Sequence, residues 1–396
     1  MIFKRDELSH LGVFYLSTFI FGLFAMISPF LVLYFLDIGL SYFKISLVTS
    51  ALGLSMAVFE LPTGALADGF SRKVSVVVGF FIIAVAAAMI PLTHTFAWLL
   101  AAWVVMGFGM TFISGAQVAW IIDNLTERKR TDLSHEFFIK NSSIMSLSSI
   151  VAPILGTLVV KYYSMKMLWF SFAIGALVCA VLLLFLTKED YRPPQIRFRD
   201  IFTETLKNSW NGLRFTVSNR TVFLLMIAQI FIGLMLFGNM GEQPYLVSLG
   251  MLDYQLGYMY SIIAVVGLGT PFMSRLFVGF NPRKVVSVVI LFRTALFFVL
   301  NYISYPLFIL AAILIILRNG LFSFVGPISE NYFQKFILKE NRSTILSIRS
   351  MVTQLFTSIV ALASGVFLDL FGAQKVLAFG GLFGIFAVFF YTRIKD

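Results

Sequence analysis

Long hydrophobic stretches alternate with short polar ones along this chain. Each hydrophobic stretch is roughly twenty to thirty residues long, which is far longer than one helical turn. Roughly 20 consecutive apolar residues make a helix long enough to cross the hydrocarbon core of a bilayer. Twelve stretches meet that length: 11–36, 44–67, 73–93, 97–121, 134–160, 167–186, 221–248, 255–277, 283–302, 306–329, 343–368 and 375–392. The pattern therefore predicts an all-α membrane protein with twelve transmembrane helices.

The two halves of the chain repeat each other. Sliding the sequence by 209 positions pairs Lys140 with Arg349 and Gly156 with Gly365. A constant offset of about half the chain indicates two similar bundles related by an axis along the membrane normal. We therefore expect two pseudo-symmetric six-helix bundles, at residues 1–186 and 221–396.

One long polar stretch, residues 187–220, separates these bundles. Pro193 and Pro194 prevent a continuous helix through it. After them, Phe202, Leu206 and Trp210 recur at four-residue spacing, which is typical of an amphipathic helix. We interpret the stretch as a cytoplasmic linker whose helix lies along the membrane surface.

Composition and charge support a membrane protein. The chain is 59% hydrophobic and 12% charged, with a mean hydropathy of +0.92 and a net charge of +11. The basic residues are dispersed in short loops, so we expect no nucleic-acid partner and a lipid bilayer around the protein. They concentrate in the N-terminus, the even-numbered loops and the C-terminus, which predicts an inner or plasma membrane protein with both termini in the cytoplasm.

Several kinds of chemistry are excluded by the residues present. Cys179 is the one cysteine, and the three histidines lie near segment ends without metal-ligand spacing. We expect no metal, no cofactor and no catalytic residues. No Gly-x-x-x-x-Gly-Lys pattern occurs, so ATP is not the direct energy source.

The turn between the second and third segments carries a recognisable pattern. It reads Gly64-x-x-x-Asp68-x-x-x-Arg72-Lys73, with Glu60 ahead of it. Glycine permits close approach of backbones, and the two cations favour the cytoplasmic side. This spacing resembles the signature loop of the major facilitator superfamily of secondary transporters, and most of all its drug-efflux branch.

The resemblance implies the superfamily's fold and a role for this loop. In the family, the acid matching Asp68 bonds across the inner face and stabilises the outward-open state. We extend that role to Asp123, which ends the fourth segment. Gly64, Arg72 and Lys73 complete the predicted conformational switch, although the two cations also fit a second interpretation as topology anchors.

Glu60 is the sharpest candidate for proton coupling. It lies about 12 Å along the second helix from Asp68, inside an apolar segment. An ionisable group in such a position is costly and is a functional hypothesis by default. Glu60 therefore suits proton uptake and release, and the alternative is a structural acid that binds a neighbouring helix end.

The fifth segment contains small residues at helix-bending spacing. Pro153 and Gly156 resemble the family's antiporter signature and permit close helix packing. Trp103 stands where the family commonly has an arginine in the fourth segment. The resemblance at Pro153 and Gly156 therefore supports export, whereas Trp103 removes one of the family's common supports for proton antiport.

The second half offers candidates for a translocation pathway. Arg293 and Arg318 are cations inside apolar segments. Arg318 either lines a cavity for an anionic or carbonyl-rich substrate or pairs with an acid such as Glu242 or Glu330. A helix break beginning at Gly238 makes three further residues candidates for an outer gate: Glu242, Gln243 and Tyr245.

These observations predict a secondary active transporter that moves a small-molecule substrate. We expect efflux of amphipathic compounds, with a proton as the coupling ion, by alternating access in a monomer. The first alternative is an importer or facilitator of a nutrient such as a sugar or organic anion. The second is a non-transporting polytopic membrane protein.

Overall fold

The computed structural model describes residues 3–190, 219–277, 279–336 and 342–394. Over these ranges the chain is helical and contains no β-strand, so the predicted all-α fold class is confirmed. The amphipathic helix predicted within residues 187–220 falls on 191–218 and lies outside the described residues.

The first half contains eight described α-helices: α1 (Arg5–Phe24), α2 (Leu31–Asp37), α3 (Tyr42–Gly69), α4 (Arg72–Met89), α5 (Phe96–Ile113), α6 (Ala116–Glu127), α7 (Leu133–Tyr162) and α8 (Met165–Leu186). Short 3₁₀ turns at Ser28–Phe30 and Ile90–Leu92 connect or extend them. Each of the six apolar segments predicted in this half is therefore helical.

The second half contains seven described α-helices: α9 (Arg220–Leu234), α10 (Glu242–Ser248), α11 (Gln255–Met273), α12 (Pro282–Leu300), α13 (Phe308–Gln334), α14 (Arg342–Phe371) and α15 (Ala373–Arg393). The 3₁₀ turns lie at Asn239–Gly241 and Ser274–Phe277. The predicted break in the seventh segment is present, because α9 ends at Leu234 and Gly238 adopts a φ of +82°.

Ten stretches of the described chain are long and apolar enough to cross a membrane. In α12, Arg283, Lys284 and Arg293 interrupt the apolar sequence. In α14, the apolar part is the shorter stretch Phe356–Phe371. The protein is therefore a multi-pass membrane protein, and the count of twelve spans stays a prediction.

The chain divides into two compact units. Unit 1 comprises Met1–Leu40, Leu47–Ile201 and Leu256–Ser261, and unit 2 comprises Ser41–Ser46, Phe202–Gln255 and Ile262–Asp396. The boundaries at 186/187 and 220/221 that the sequence predicts stay a prediction.

Small residues let the helices of unit 1 approach closely. In that unit α4 packs on α5 and α8, while α1 packs on α7 and α8. A Cβ atom built on Gly79 would lie 2.7 Å from the carbonyl oxygen of Gly109, so the α4–α5 contact requires glycine there. Ser55 on α3 donates a hydrogen bond of 2.7 Å to the carbonyl of Val104 on α5.

Unit 2 has an analogous core around α15, which packs on α9 and α12. A Cβ on Gly384 would lie 2.0 Å from Oγ1 of Thr294 on α12, so a larger residue would separate these two helices. Phe297, Ile290 and Tyr391 are buried in the same cluster. Large apolar side chains on the outer faces of both units are exposed, as expected for surfaces in contact with lipid.

Candidate functional site

Glu60 lies within α3 and its side chain is exposed. Ser114, the C-cap residue that follows α5, donates a hydrogen bond of 2.9 Å to Glu60 Oε1. Pro62 follows two positions later inside the same helix and lacks the amide proton that a regular turn would use. The Glu60 carboxyl group therefore lies close to an interruption of the helical hydrogen bonds at Pro62, and it binds the Ser114 hydroxyl group.

Three other acids inside the helical units have cationic partners. Glu7 pairs with Lys140, Glu242 pairs with Arg318, and Glu330 pairs with Arg349. No such pair involves Glu60 among the described residues. Glu60 thus differs from these acids in having no bound cation to balance a negative charge.

The predicted switch residues Arg72 and Asp123 are brought together by the structure. Arg72 begins α4, and its guanidinium forms an ion pair with the Asp123 carboxylate on α6. Both side chains are only partly exposed. The Asp123 contact follows from a break in the fourth segment, because Gly115 has a φ of +71° and separates α5 from α6.

An acid that the sequence analysis did not select caps the same turn. Glu189 accepts hydrogen bonds from the Ser71 hydroxyl and from the amide nitrogen of Arg72, the latter at 2.7 Å. Ser71 is also the N-cap of α4, because its Oγ accepts a bond from the amide of Val74. Its hydroxyl thus caps the first turn of α4.

Lys73 and Arg128 extend this charged end of unit 1. Lys73 Nζ donates to the carbonyl oxygens of Leu184 at 2.8 Å and Thr187 at 2.7 Å, so it closes the C-terminus of α8. Arg128 Nε donates to Asp190 Oδ2 at 2.6 Å. The residues that follow α8 are therefore hydrogen-bonded to the α3–α4 turn, through Glu189, and to the end of α6, through Asp190.

Asp68 and Gly64, at the end of α3, complete the predicted switch. The side chain of Asp68 lies outside the described residues, so its predicted role is untested. In the described chain nothing lies within 4 Å of a Cβ built on Gly64, so the close approach that glycine permits is not used there, and the role of Gly64 in the switch stays a prediction. The last turns of α3 have one buried face, with Thr63 1% and Ala67 2% exposed, while Phe70, directly after the helix, is 82% exposed.

A buried acid near the N-terminus was missed by the sequence analysis. Glu7 is only 1% exposed, and it binds the Lys140 ammonium and accepts a bond of 2.9 Å from the Tyr15 hydroxyl. Lys140 also contacts Glu136 at 3.1 Å on its own helix. Glu7 precedes the first apolar segment, but an intramembrane lysine requires an anionic partner, and that requirement was the available signal.

The repeat partner of Lys140 is also paired. Arg349 Nη1 lies 2.8 Å from Glu330 Oε2, and its guanidinium stacks 4.7 Å from the Phe333 ring centroid. Arg318 therefore does not take Glu330 as its partner. The two equivalent cations are both neutralised by an acid from another helix.

Arg318 pairs with Glu242, which was the other partner considered from sequence. Arg318 is 0% exposed, Glu242 is 3% exposed, and Arg293 lies in the same buried region at 2% exposure. The guanidinium carbons of both arginines lie over the Phe297 ring, Arg293 at 5.6 Å and Arg318 at 4.6 Å from its centroid. These side chains form the interior of unit 2.

The remaining pathway candidates are buried as well. Gln243 and Tyr245 are both under one-tenth exposed. The Tyr245 hydroxyl donates to the carbonyl of Leu300 at 2.5 Å, which ties α10 to the end of α12. The outer-gate role of Gln243 and Tyr245 therefore stays a prediction. The hydrogen bond of Tyr245 to Leu300 holds two helices together.

The proline and glycine of the fifth segment lie on the packed face of α7. Pro153 is buried inside this helix. A Cβ on Gly156 would lie 2.9 Å from the carbonyl oxygen of Met26, so glycine is required for the contact between α7 and the chain after α1. Close packing at Gly156 is thus observed, and its link to antiport stays a prediction.

The loop before α7 carries a bidentate ion pair. Arg130 donates two hydrogen bonds of 3.0 Å to Asp132, and these bonds lower the pKa of that carboxyl below its usual value.

The described part of the chain contains no cluster of three His, Cys, Asp or Glu side chains that could bind a metal ion.

Comparison with known proteins identifies the family. A profile of the Major Facilitator Superfamily matches residues 13–361. The MFS-type transporter YxaM of Bacillus subtilis (strain 168) is 22% identical over 400 residues, which cover 98% of this chain and 97% of YxaM. Multidrug resistance protein MdtL of Klebsiella pneumoniae is 24% identical over 250 residues, covering 62% of this chain and 61% of MdtL.

Solved structures agree with that fold. A mutant of the nucleoside transporter NupG superposes with a TM-score of 0.81 at 16% identity, covering 98% of this chain and all of NupG (100%). A D-xylose-proton symporter gives a TM-score of 0.72 at 14% identity and 98% coverage of both chains. At these identities the likeness concerns the fold.

Proposed function

The chain belongs to the Major Facilitator Superfamily of transporters, and from that premise we propose that it exports small amphipathic compounds in exchange for protons. The family and the fold are those of transporters and not of enzymes. The proposed cycle is alternating access of two six-helix bundles, residues 1–186 and 221–396, within one monomer. A partial likeness to multidrug resistance protein MdtL supports export.

The observation that carries the proposal is the environment of Glu60. A carboxylate in a membrane-spanning helix is costly unless a cation, water or a proton removes or balances its charge. Glu7, Glu242 and Glu330 use cations, whereas Glu60 accepts a bond from Ser114. A serine hydroxyl can bond to both the charged and the neutral carboxyl, so Glu60 can gain and lose a proton without losing this contact.

The chain near Glu60 also supports a coupled movement. Pro62 interrupts the backbone ladder of α3, and Ser114 lies at the α5–α6 break beside Gly115. A change in the Glu60–Ser114 contact therefore acts where both helices are already discontinuous. We propose that protonation of Glu60 changes the position of α3 relative to the break between α5 and α6.

We propose that Arg72 and Asp123, together with Gly64, Asp68 and Lys73, form the conformational switch. The ion pair of Arg72 with Asp123, and the bonds of Lys73 to the end of α8, support this role. Asp123→Asn removes the carboxylate partner of Arg72 and should change the accessibility of cysteines introduced in the α3–α4 turn. Unchanged accessibility would count against the switch.

The same cations support a proposed orientation in the membrane. Arg72, Lys73 and Arg128 lie at one end of unit 1, and basic residues stay on the cytoplasmic side. We propose that the protein lies in the inner or plasma membrane with this end and both termini in the cytoplasm. A cysteine added at either terminus of the protein would test the orientation in intact cells. A membrane-impermeant maleimide should not label it, because both termini are proposed to lie in the cytoplasm.

Direction of transport is tested in proteoliposomes with an acidic lumen. Ethidium is a suitable probe because it is amphipathic and permanently charged. Antiport predicts ethidium accumulation driven by proton exit, and a protonophore should abolish it. Proton-driven release of a nucleoside or a pentose from the same lumen, in the direction of proton flow, would instead support the importer alternative and overturn export.

A further inference from the structure

The interior of unit 2 contains more positive than negative charge. Arg293 on α12 and Arg318 on α13 are 2% and 0% exposed, and Glu242 at the start of α10 is 3% exposed. Arg318 pairs with Glu242, while Arg293 has only a weak contact of 3.5 Å with the sulfur of Met235. With both arginines protonated and Glu242 ionised, this cluster carries one excess positive charge.

The other acids described in unit 2 do not supply the missing charge. Glu330 is bound to Arg349. Asp253 and Asp369 are exposed, unlike Arg293. Within the described residues, Glu242 is therefore the acid of this buried cluster.

The cluster also has unused hydrogen-bond donors. Two nitrogens of Arg293, Nε and Nη2, and two of Arg318, Nε and Nη1, are buried without an acceptor in the described chain. The rings of Phe297 and Phe322 lie under the guanidinium groups, with Phe322 at 4.7 Å from Arg293. Aromatic faces attract a cation but accept few of its N–H bonds and carry no net charge.

We propose that Arg293 and Arg318 bind a monovalent anion inside unit 2. A buried arginine remains charged, and an unbalanced buried charge is strongly destabilising. Water could accept the free N–H groups but would leave the excess charge. One monovalent anion makes the cluster neutral, whereas a divalent anion would make it negative.

The ligand chemistry is a small anion that accepts several N–H bonds. Its source is either an inorganic ion such as chloride or the carboxylate of a small solute. Guanidinium groups present planar N–H donors that suit both. Neither export nor proton coupling at Glu60 is needed for this site, so it is testable without a transport assay.

The first test measures the thermal stability of the purified full-length protein at constant ionic strength. Sodium morpholinoethanesulfonate, whose anion is bulky and has no carboxylate group, is replaced stepwise by sodium chloride or by sodium acetate. We expect a saturable rise in Tm with at least one of these small anions. Saturation with chloride identifies an inorganic ion, and saturation with acetate alone identifies a carboxylate; no rise with either overturns the proposal.

Variants connect the effect to the cluster. Arg293→Met should remove the saturable rise, because it removes the excess charge and the free donors. Arg393→Met is the matched control, since Arg393 also stacks on a phenylalanine, Phe389 at 4.9 Å, but is exposed. It should keep the full response, and an equal response in Arg293→Met would overturn the assignment.

A binding measurement covers the case in which Arg293→Met does not fold. Radioactive chloride or acetate should bind the wild-type protein saturably, at one site per chain. Glu242→Gln raises the cluster charge by one and should tighten that binding by about tenfold or more. Absence of saturable binding in the wild type, or unchanged affinity in folded Glu242→Gln, would contradict the proposal.

Discussion

Replacing Lys140 with methionine should destabilise the protein more than replacing its buried partner Glu7 with glutamine. Methionine keeps an unbranched side chain of similar length but removes the ammonium group. The Glu7 carboxylate, 1% exposed, would then keep the Tyr15 hydroxyl and a longer 3.4 Å bond from the Lys4 amide. These neutral donors do not balance its charge.

The two substitutions differ in what they leave behind. Breaking a buried ion pair by removing one partner costs about 3–5 kcal/mol, and we use the lower end, about 3 kcal/mol, because Lys140 is partly exposed. Glu7→Gln leaves Lys140 with Glu136 at 3.1 Å, so its cost should be that of a lost hydrogen bond, about 1 kcal/mol. The double variant should resemble Glu7→Gln, because no buried charge remains unpaired.

Thermal unfolding in one detergent measures this difference. For a unit of this size, 1 kcal/mol corresponds to about 2–4 °C in Tm. Lys140→Met should therefore lower Tm by about 6–12 °C, and Glu7→Gln by about 2–4 °C. Lys166→Met is the control, because Lys166 is exposed at the start of α8 and its loss should leave Tm nearly unchanged.

The reasoning is refuted if Lys140→Met is as stable as Glu7→Gln or more stable. It is also refuted if the double variant is less stable than Lys140→Met. Either result would mean that Glu7 is not held as a buried anion by Lys140.

Two further predictions concern packing. Gly384→Ala should cost about 1–3 kcal/mol or more, because the added Cβ would lie 2.0 Å from Thr294 Oγ1. Gly269→Ala should be neutral or slightly stabilising, because nothing in the described chain lies within 4 Å of a Cβ there. Equal Tm values for the two variants would contradict the packing. Cys179 is 0% exposed and its thiol contacts the carbonyl of Ser17 at 3.3 Å, so maleimide should label it only after unfolding; rapid labelling of the folded protein would show that this region opens.

The sequence was sufficient for the positions of the helices because apolar length is a local property. All twelve predicted segments are helical, and the break near Gly238 follows from a glycine with positive φ. The break at Gly115 was missed, since the apolar residues continue on both sides of it. Its consequence is that this break places Ser114 beside Glu60, the acid that we propose for proton coupling.

Pairing of charges was harder to predict because it depends on which helices become neighbours. The choice between Glu242 and Glu330 for Arg318 could not be made from spacing, and each acid binds a different arginine. Glu7 and Glu189 were overlooked because both lie in polar stretches flanking the apolar segments. Their burial and capping roles arise only when α7 and the α3–α4 turn reach them.

The most direct test of the account is whether Glu60 couples solute movement to proton movement. In proteoliposomes with an acidic lumen, external ethidium should raise the luminal pH with the wild-type protein and with the exposed-acid control Glu127→Gln. Glu60→Gln should bind ethidium with similar affinity and move no protons, because its amide still accepts the Ser114 bond but does not titrate. Ethidium-driven proton release by Glu60→Gln at the wild-type rate would contradict the account.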